Sequence, residues 1–198
     1  MIRIVICTII GYFLGSLSAG LMLTRNTGVD IRKQGSSNIG ATNVLRLLGA
    51  KMGVLTFLGD FAKGLVACTL GYLIAGRNGA AFAGIFAVLG HNWPVFYDFR
   101  GGKGIATSTA VLLFLFPVPT LINFAIAVAV ALISRYVSLA SLSLISLSLI
   151  NTIVSRPFFP DILTALILCV LGYWRHRANI ERLISGTESK LFQNKKTE

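Results

Sequence analysis

The chain has 198 residues, 55% of them hydrophobic and only 13% charged, with a mean hydropathy of +0.77. Soluble globular domains carry about twice that charged share, so a soluble domain, a coiled coil and a disordered chain are excluded. Lys and Arg outnumber Asp and Glu 18 to 7; in a polytopic membrane protein such a surplus sets topology, and here it leaves room for an anionic ligand.

The first charge-free stretch, residues 4–23, is long enough to cross a hydrocarbon core of about 30 Å. Arg3 ahead of it and Ser-Leu-Ser-Ala near its end have the outline of a signal peptide. The basic segment and the further spans behind it predict a retained helix instead. Spans at 52–75 and 80–97 follow. Residues 105–134 carry no charge, and as one helix would run about 45 Å, too long for the core. Pro117 and Pro119 fall near the middle and predict a turn there, giving spans at 105–116 and 118–134. Spans at 138–154 and 160–174 precede a cytoplasmic tail, 175–198.

Charge distribution selects the same count. With seven spans, one side carries Arg25, Arg32, Lys33, Arg46, Lys51, Arg100, Lys103, Arg135, Arg175, Arg177, Arg182, Lys190, Lys195 and Lys196. The other carries Arg3, Arg77 and Arg156, while Lys63 lies within a span. That division of 14 to 3 becomes 8 to 9 if 105–134 is a single helix, and the positive-inside rule favours the first. The expectation is an all-α, polytopic integral membrane protein forming a single domain over 1–198. It has seven transmembrane helices, its amino terminus outside and its carboxyl terminus in the cytoplasm. Helices two, four and six then present their amino-terminal ends, with unpaired N–H groups and partial positive charge, to the cytoplasm.

Three segments carry polar chemistry. Residues 28–53, GVDIRKQGSSNIGATNVLRLLGAKMG, supply Ser36, Ser37, Asn38, Thr42 and Asn43 as short polar groups. Gly35 and Gly40 permit close backbone approach, and Arg46 suits bidentate phosphate binding. The segment reads equally as a capped interfacial loop. Residues 90–107, GHNWPVFYDFRGGKGIAT, bring Gly101, Gly102, Lys103 and Gly104 directly into the fourth span and Thr107 just inside it. That is how backbone N–H groups meet a phosphate, although a basic topological anchor has the same composition. A Walker A loop is excluded, because Tyr97 stands where its first glycine belongs and Gly104 follows the lysine. The third segment is split between RYVSLAS, with Ser138, and RHRANIERLISGTESK from residue 175. His176, Asn179 and Arg182 share a helix face by spacing, and Ile180 and Leu183 fit that tail helix to the membrane surface. Asp60 and Lys63, at i and i+3 inside the second span, fit a structural pair or part of a site. Lone His91 fits interfacial anchoring better than catalysis. Cys7, Cys68 and Cys169 form no metal or disulfide pattern.

Taken in order, these segments, with LGDFAKG at 58–64, resemble the bacterial acyl-phosphate:glycerol-3-phosphate acyltransferases across nearly the whole chain. The resemblance implies acyl transfer from acyl phosphate to glycerol 3-phosphate, yielding lysophosphatidic acid and phosphate. It also implies a bacterial inner-membrane location with the site on the cytoplasmic face. It makes Ser36 and Arg46 the essential pair of the first motif and Gly101, Gly102 and Gly104 the glycines of glycerol 3-phosphate binding. His176 and Asn179 become the polar pair of the third motif, and Glu188 its structural acid. Two positions depart from the family: Ser37, where glycine is usual, and Ser18, where proline or threonine is common.

The implied chemistry asks for catalytic Ser36, Arg46, Lys103, His176 and Asn179. It asks for substrate binding by Asn38, Thr42, Asn43, Gly101, Gly102, Gly104, Thr107, Ser138 and Arg182. An acyl phosphate is already activated, so Ser36 is read as a phosphate or oxyanion donor rather than a nucleophile. Lys103, Arg46, Arg182 and three helix ends suit two adjacent phosphates, and the acyl chain is expected in a groove open to the bilayer. Either His176, with an ordinary pKa near neutrality, or a substrate phosphate accepts the hydroxyl proton. No cofactor, metal or nucleic acid is expected; the enzyme supplying acyl phosphate is a candidate partner. The rival His-x4-Asp acyltransferase pattern is missing, since Phe96 follows His91 and Glu181 follows His176 at that spacing. An organophosphate transporter fits less well, because the polar residues cluster on one face and no inverted repeat is visible.

Overall fold

The computed structural model describes residues 1–155 and 158–191; Arg156, Lys195 and Lys196, counted in the charge balance, lie outside them. Helix α1 (Ile2–Ser16) is followed by the short α2 (Ala19–Thr24), separated by Leu17 and Ser18 in extended backbone. The Ser18 hydroxyl accepts the Leu21 N–H at 3.3 Å, so the residue that departs from the family pattern restarts the helix as an N-cap.

Helix α3 (Ala41–Asn92) is three straight pieces, 41–48, 50–74 and 77–92, divided where Gly49, Ala75 and Gly76 leave helical backbone. The loop expected around 76–79 is therefore a turn of two residues. It is short because the pieces close on each other at Gly71 and Gly79, where a Cβ on either glycine would overlap the other's carbonyl. Gly11 and Gly15 of α1 rest in the same way on the backbone of Ala83 and Ala87. Small residues let helices approach closely where no hydrophobic drive separates lipid from protein. The third expected span stops at Asn92, and Val95–Tyr97 is a 3-10 turn begun by Pro94.

The chain then forms α4 (Ile105–Leu115), α5 (Pro117–Ser134), α6 (Val137–Val154) and α7 (Phe159–Ile184). Pro117 opens α5 from its first turn, the position where its missing N–H costs nothing. Among the described residues all regular structure is helical. Ile2–Thr24, Ala41–Tyr97, Pro117–Ser134 and Val137–Val154 are long and apolar enough to cross a membrane, and Ile105–Leu115 is a shorter apolar helix. Large apolar side chains such as Ile9, Leu58, Leu73, Leu121, Ile133 and Val170 are exposed on the outer faces, a lipid-facing belt rather than a water-facing surface.

The core lies between 77–92, α4, α6 and α7, around Val88, Val111, Leu112, Leu144, Ile145 and Leu168. At one end Arg77 Nε donates to both oxygens of Asp161 at 3.0 and 3.2 Å, and Nη2 donates to the Leu115 carbonyl at 3.0 Å. This pins the start of 77–92 to α4 and α7. The separate interfacial helix expected after residue 175 is absent. No glycine or proline interrupts the chain between Trp174 and Ile184, so α7 continues and stops at Gly186, in left-handed backbone (φ +71°).

Candidate functional site

At the opposite end the three polar segments converge. The loop ahead of α3 is folded around Asn43, which is 1% exposed. Its Oδ1 accepts the Ser36 N–H at 2.9 Å, and its Nδ2 donates to the carbonyls of Ile31 and Gln34 at 2.9 and 3.1 Å. Asn43, expected to bind substrate, thus builds the loop. Asn38 Oδ1 accepts the Gly40 N–H at 2.9 Å. Ser37 adopts φ +55°, a left-handed conformation in which a residue with a Cβ is strained. Arg46 reaches the Ser189 carbonyl at 3.0 Å.

In the second segment Gly104 has φ +80° and lies against the Asn92 side chain, so a Cβ is excluded by both conformation and contact. Gly102 donates its N–H to the His91 carbonyl at 3.1 Å. Cβ atoms on Gly101 and Gly102 would overlap the His91–Asn92 backbone and the His91 ring. These two glycines are therefore needed for packing, and the Gly102 N–H expected to meet phosphate is already engaged. Arg175, read from sequence only as a topological charge, clamps the loop from α7. Its Nε donates to Gly102 O at 2.9 Å and its Nη2 to Gly101 O at 2.8 Å, with the guanidinium over Trp93. Its place directly before His176 was the available signal.

On α7, His176 Nδ1 lies 2.8 Å from the Gly172 carbonyl. A carbonyl only accepts, so Nδ1 carries the proton and Nε2 keeps a free lone pair. Burial, reinforced by the charge of Lys103, pulls the imidazole pKa from its ordinary value near neutrality down to about 4. Lys103 donates to Asn179 Oδ1. Asn179 Nδ2 donates to Glu188 Oε1 at 2.6 Å, as does the Ser138 hydroxyl at 2.7 Å, and Arg182 Nε donates to Oε2 at 2.7 Å. Ser138 and Arg182, expected on substrate, are both held by Glu188. That carboxylate, carried by the residues after Gly186, accepts from Ser138, Asn179 and Arg182 together.

Ser36, Asn38, Thr42, Asn43, Arg46, Lys103, Gly104, Ser138, His176 and Asn179 line one cavity of about 220 Å³. Asp60 and His91 contribute to its wall, and Phe57, Phe124, Val128, Ala131 and Leu144 form an apolar side. Gly101, Gly102, Arg182 and Thr107 stand outside the lining. Thr107 is fully buried and donates to the Asp60 carbonyl at 2.9 Å, because the close approach of Gly64 to Thr107 packs α4 flat on α3 at that level. The first turns of α3, α4 and α6 all border the cavity, at Ala41–Thr42, Ile105–Ala106 and Val137–Ser138, and none of the three has a side-chain cap bond. Three helix amino termini and the cations Arg46 and Lys103, beside the carboxylates of Asp60 and Glu188, face one space, an arrangement suited to an anion.

Residues 5–186 match the family model described as glycerol-3-phosphate acyltransferase. The chain is similar to the glycerol-3-phosphate acyltransferase of Thermoanaerobacter pseudethanolicus, 46% identical over 96% of each protein. It is 42% identical to that of Clostridioides difficile, over 96% of this chain and 97% of the relative. Crystal structures of PlsY (YgiH), an integral membrane glycerol 3-phosphate acyltransferase, have the same fold at 37% identity. The glycerol 3-phosphate form gives a TM-score of 0.91, covering 96% of this chain and 99% of that one. The lysophosphatidic acid form gives 0.88, covering 94% of each.

Proposed function

The chain belongs to the glycerol-3-phosphate acyltransferase family, and we propose that it transfers an acyl group from acyl phosphate to glycerol 3-phosphate. The observation that carries this reading is the union of an anion site and an apolar wall in one cavity. Three uncapped helix ends with Arg46 and Lys103 suit two phosphorylated substrates. The wall of Phe57, Phe124 and Val128 suits an acyl chain entering from the bilayer. A glycerol hydroxyl oxygen attacks the acyl carbon, the bond from that carbon to the phosphate oxygen breaks, and inorganic phosphate leaves. Donors at Ser36 and Lys103 stabilise negative charge on the phosphates and the carbonyl oxygen. The hydroxyl proton passes to a substrate phosphate or to the free Nε2 of His176.

The same reading places the site on the cytoplasmic face of a bacterial inner membrane, with seven spans and the amino terminus outside. It is supported by the charge division and by the chain's reversal at residues 75–76. Cysteines at Arg32, Arg100 and Lys190 on a cysteine-free background should be labelled only after the membrane is opened, and one at Asn78 from outside. Labelling of position 190 from outside rejects the seven-span topology. For the reaction, purified protein receives glycerol 3-phosphate with either acyl phosphate or acyl-CoA. Lysophosphatidate with equimolar phosphate from the first donor alone is expected; product from acyl-CoA alone overturns the donor assignment.

A further inference from the structure

Asp60, Lys63 and His91 are buried charges or polar groups, 2%, 8% and 5% exposed, that the transfer chemistry above leaves without a task. Ionisable groups inside a membrane protein are costly and are retained for a reason. Lys63 Nζ lies 2.5 Å from the Leu17 carbonyl, which the α1–α2 break leaves available. It lies 2.8 Å from His91 Nδ1 and 3.0 Å from Asp60 Oδ1. An ammonium only donates, so His91 Nδ1 accepts and Nε2 carries the proton. The other edge of that ring faces Gly102, so closely that a Cβ there would overlap Nε2, and the His91 carbonyl holds the Gly102 N–H. Gly102 is bonded to Lys103, whose ammonium reaches Asn179 in the cavity.

The loop is therefore gripped on both sides, by Arg175 through its carbonyls and by His91 through the ring and one amide. We propose that Asp60, Lys63 and His91 are positioning residues, a buried support that sets the height of the Gly101–Gly104 loop and so directs Lys103 into the cavity. Lys63 joins the break in the first helix and the Asp60 carboxylate to the imidazole, and the imidazole fixes how far Gly102 sinks toward 77–92. Asp60 and His91 border the cavity wall, and the support acts on the reaction by setting where Lys103 stands. The inference rests on the cavity being the acyl-transfer site.

A double-mutant cycle tests it, with His91→Ala, Lys103→Met and the pair, all checked for thermal midpoint and monodispersity in detergent. His91→Ala should raise KM for glycerol 3-phosphate about tenfold or more, with KM for the acyl donor changed by less than about twofold. If His91 acts through Lys103, the pair should fall within about twofold of Lys103→Met alone, since effects on one shared group do not add. Multiplying losses, or equal rises in both KM values, overturn the proposal in favour of general support of the fold. Should His91→Ala fail to fold, the near-isosteric Asp60→Asn enters the same cycle with the same expected outcomes. An inactive wild type refutes the acyl-transfer reading instead; binding of radiolabelled glycerol 3-phosphate then carries the cycle, and additive losses of affinity still overturn the support.

Discussion

Lys103 offers a test in which the sign of a pH effect follows from the structure. Burial lowers its pKa most, Glu188 works in the opposite direction, and the charges of Arg182, Arg46 and Arg175 lower it further, to about 8. About nine-tenths of the side chain is thus charged at pH 7 and about one-tenth at pH 9. If the ammonium holds a phosphate, kcat/KM for glycerol 3-phosphate should be highest near pH 7, between the substrate's second ionisation near 6 and the pKa of Lys103. Between pH 7 and pH 9 it should drop by about tenfold. The substrate adds nothing to that limb, because the second ionisation of a phosphate monoester lies near 6, well below it. Lys103→Arg keeps the charge at all these pH values, so its basic limb should vanish even if the absolute rate falls through imperfect contact with Asn179. Initial rates of lysophosphatidate formation across pH 6 to 10 decide the matter. A level wild-type profile through pH 9, or a limb that persists unchanged in Lys103→Arg, refutes the assignment.

Three more predictions concern the rest of the site. His176→Asn should keep most of kcat and retain an acidic limb near pH 6, because a substrate phosphate with its second ionisation near 6 takes the proton. A wild-type acidic limb near pH 4, lost in His176→Asn together with about 10²–10⁴-fold in kcat, assigns the base to His176 instead. Burial, the largest influence on Glu188, raises its pKa, but hydrogen bonds from Asn179, Ser138 and Arg182 outweigh it and leave the pKa low. Its stabilising contribution is therefore present above the ordinary carboxylate range and is lost as pH falls through the lowered value. Glu188→Gln should cost about 3 kcal/mol, read as a lower Tm in detergent, and should blunt the fall of Tm on acidification. Ser37→Gly should raise stability by about 0.5–1 kcal/mol by relieving the left-handed strain; an unchanged or lower Tm contradicts that account.

Hydropathy is a local property, and what depends on it was legible before any fold was known. The membrane class follows from composition, and the division at Pro117 follows from a ring that cannot continue a helix. The polar segments that gather at one end were also marked by their residues. Their partners were not, because a donor chooses its acceptor by distances that packing sets over long separations in sequence. Ser138 and Glu188 are 50 residues apart and bonded, Arg175 clamps a loop more than 70 residues earlier, and Thr107 is taken up by a backbone carbonyl 47 residues away. A break near residues 76–79 was legible, but its tightening to two residues at Ala75–Gly76 was not, since that depends on Gly71 and Gly79 touching. The low pKa of His176 belongs to the same class. Imidazole brings a value near neutrality from its own chemistry, and only burial beside Lys103 moves it to about 4, because the cost of charge is set by what surrounds the ring in three dimensions.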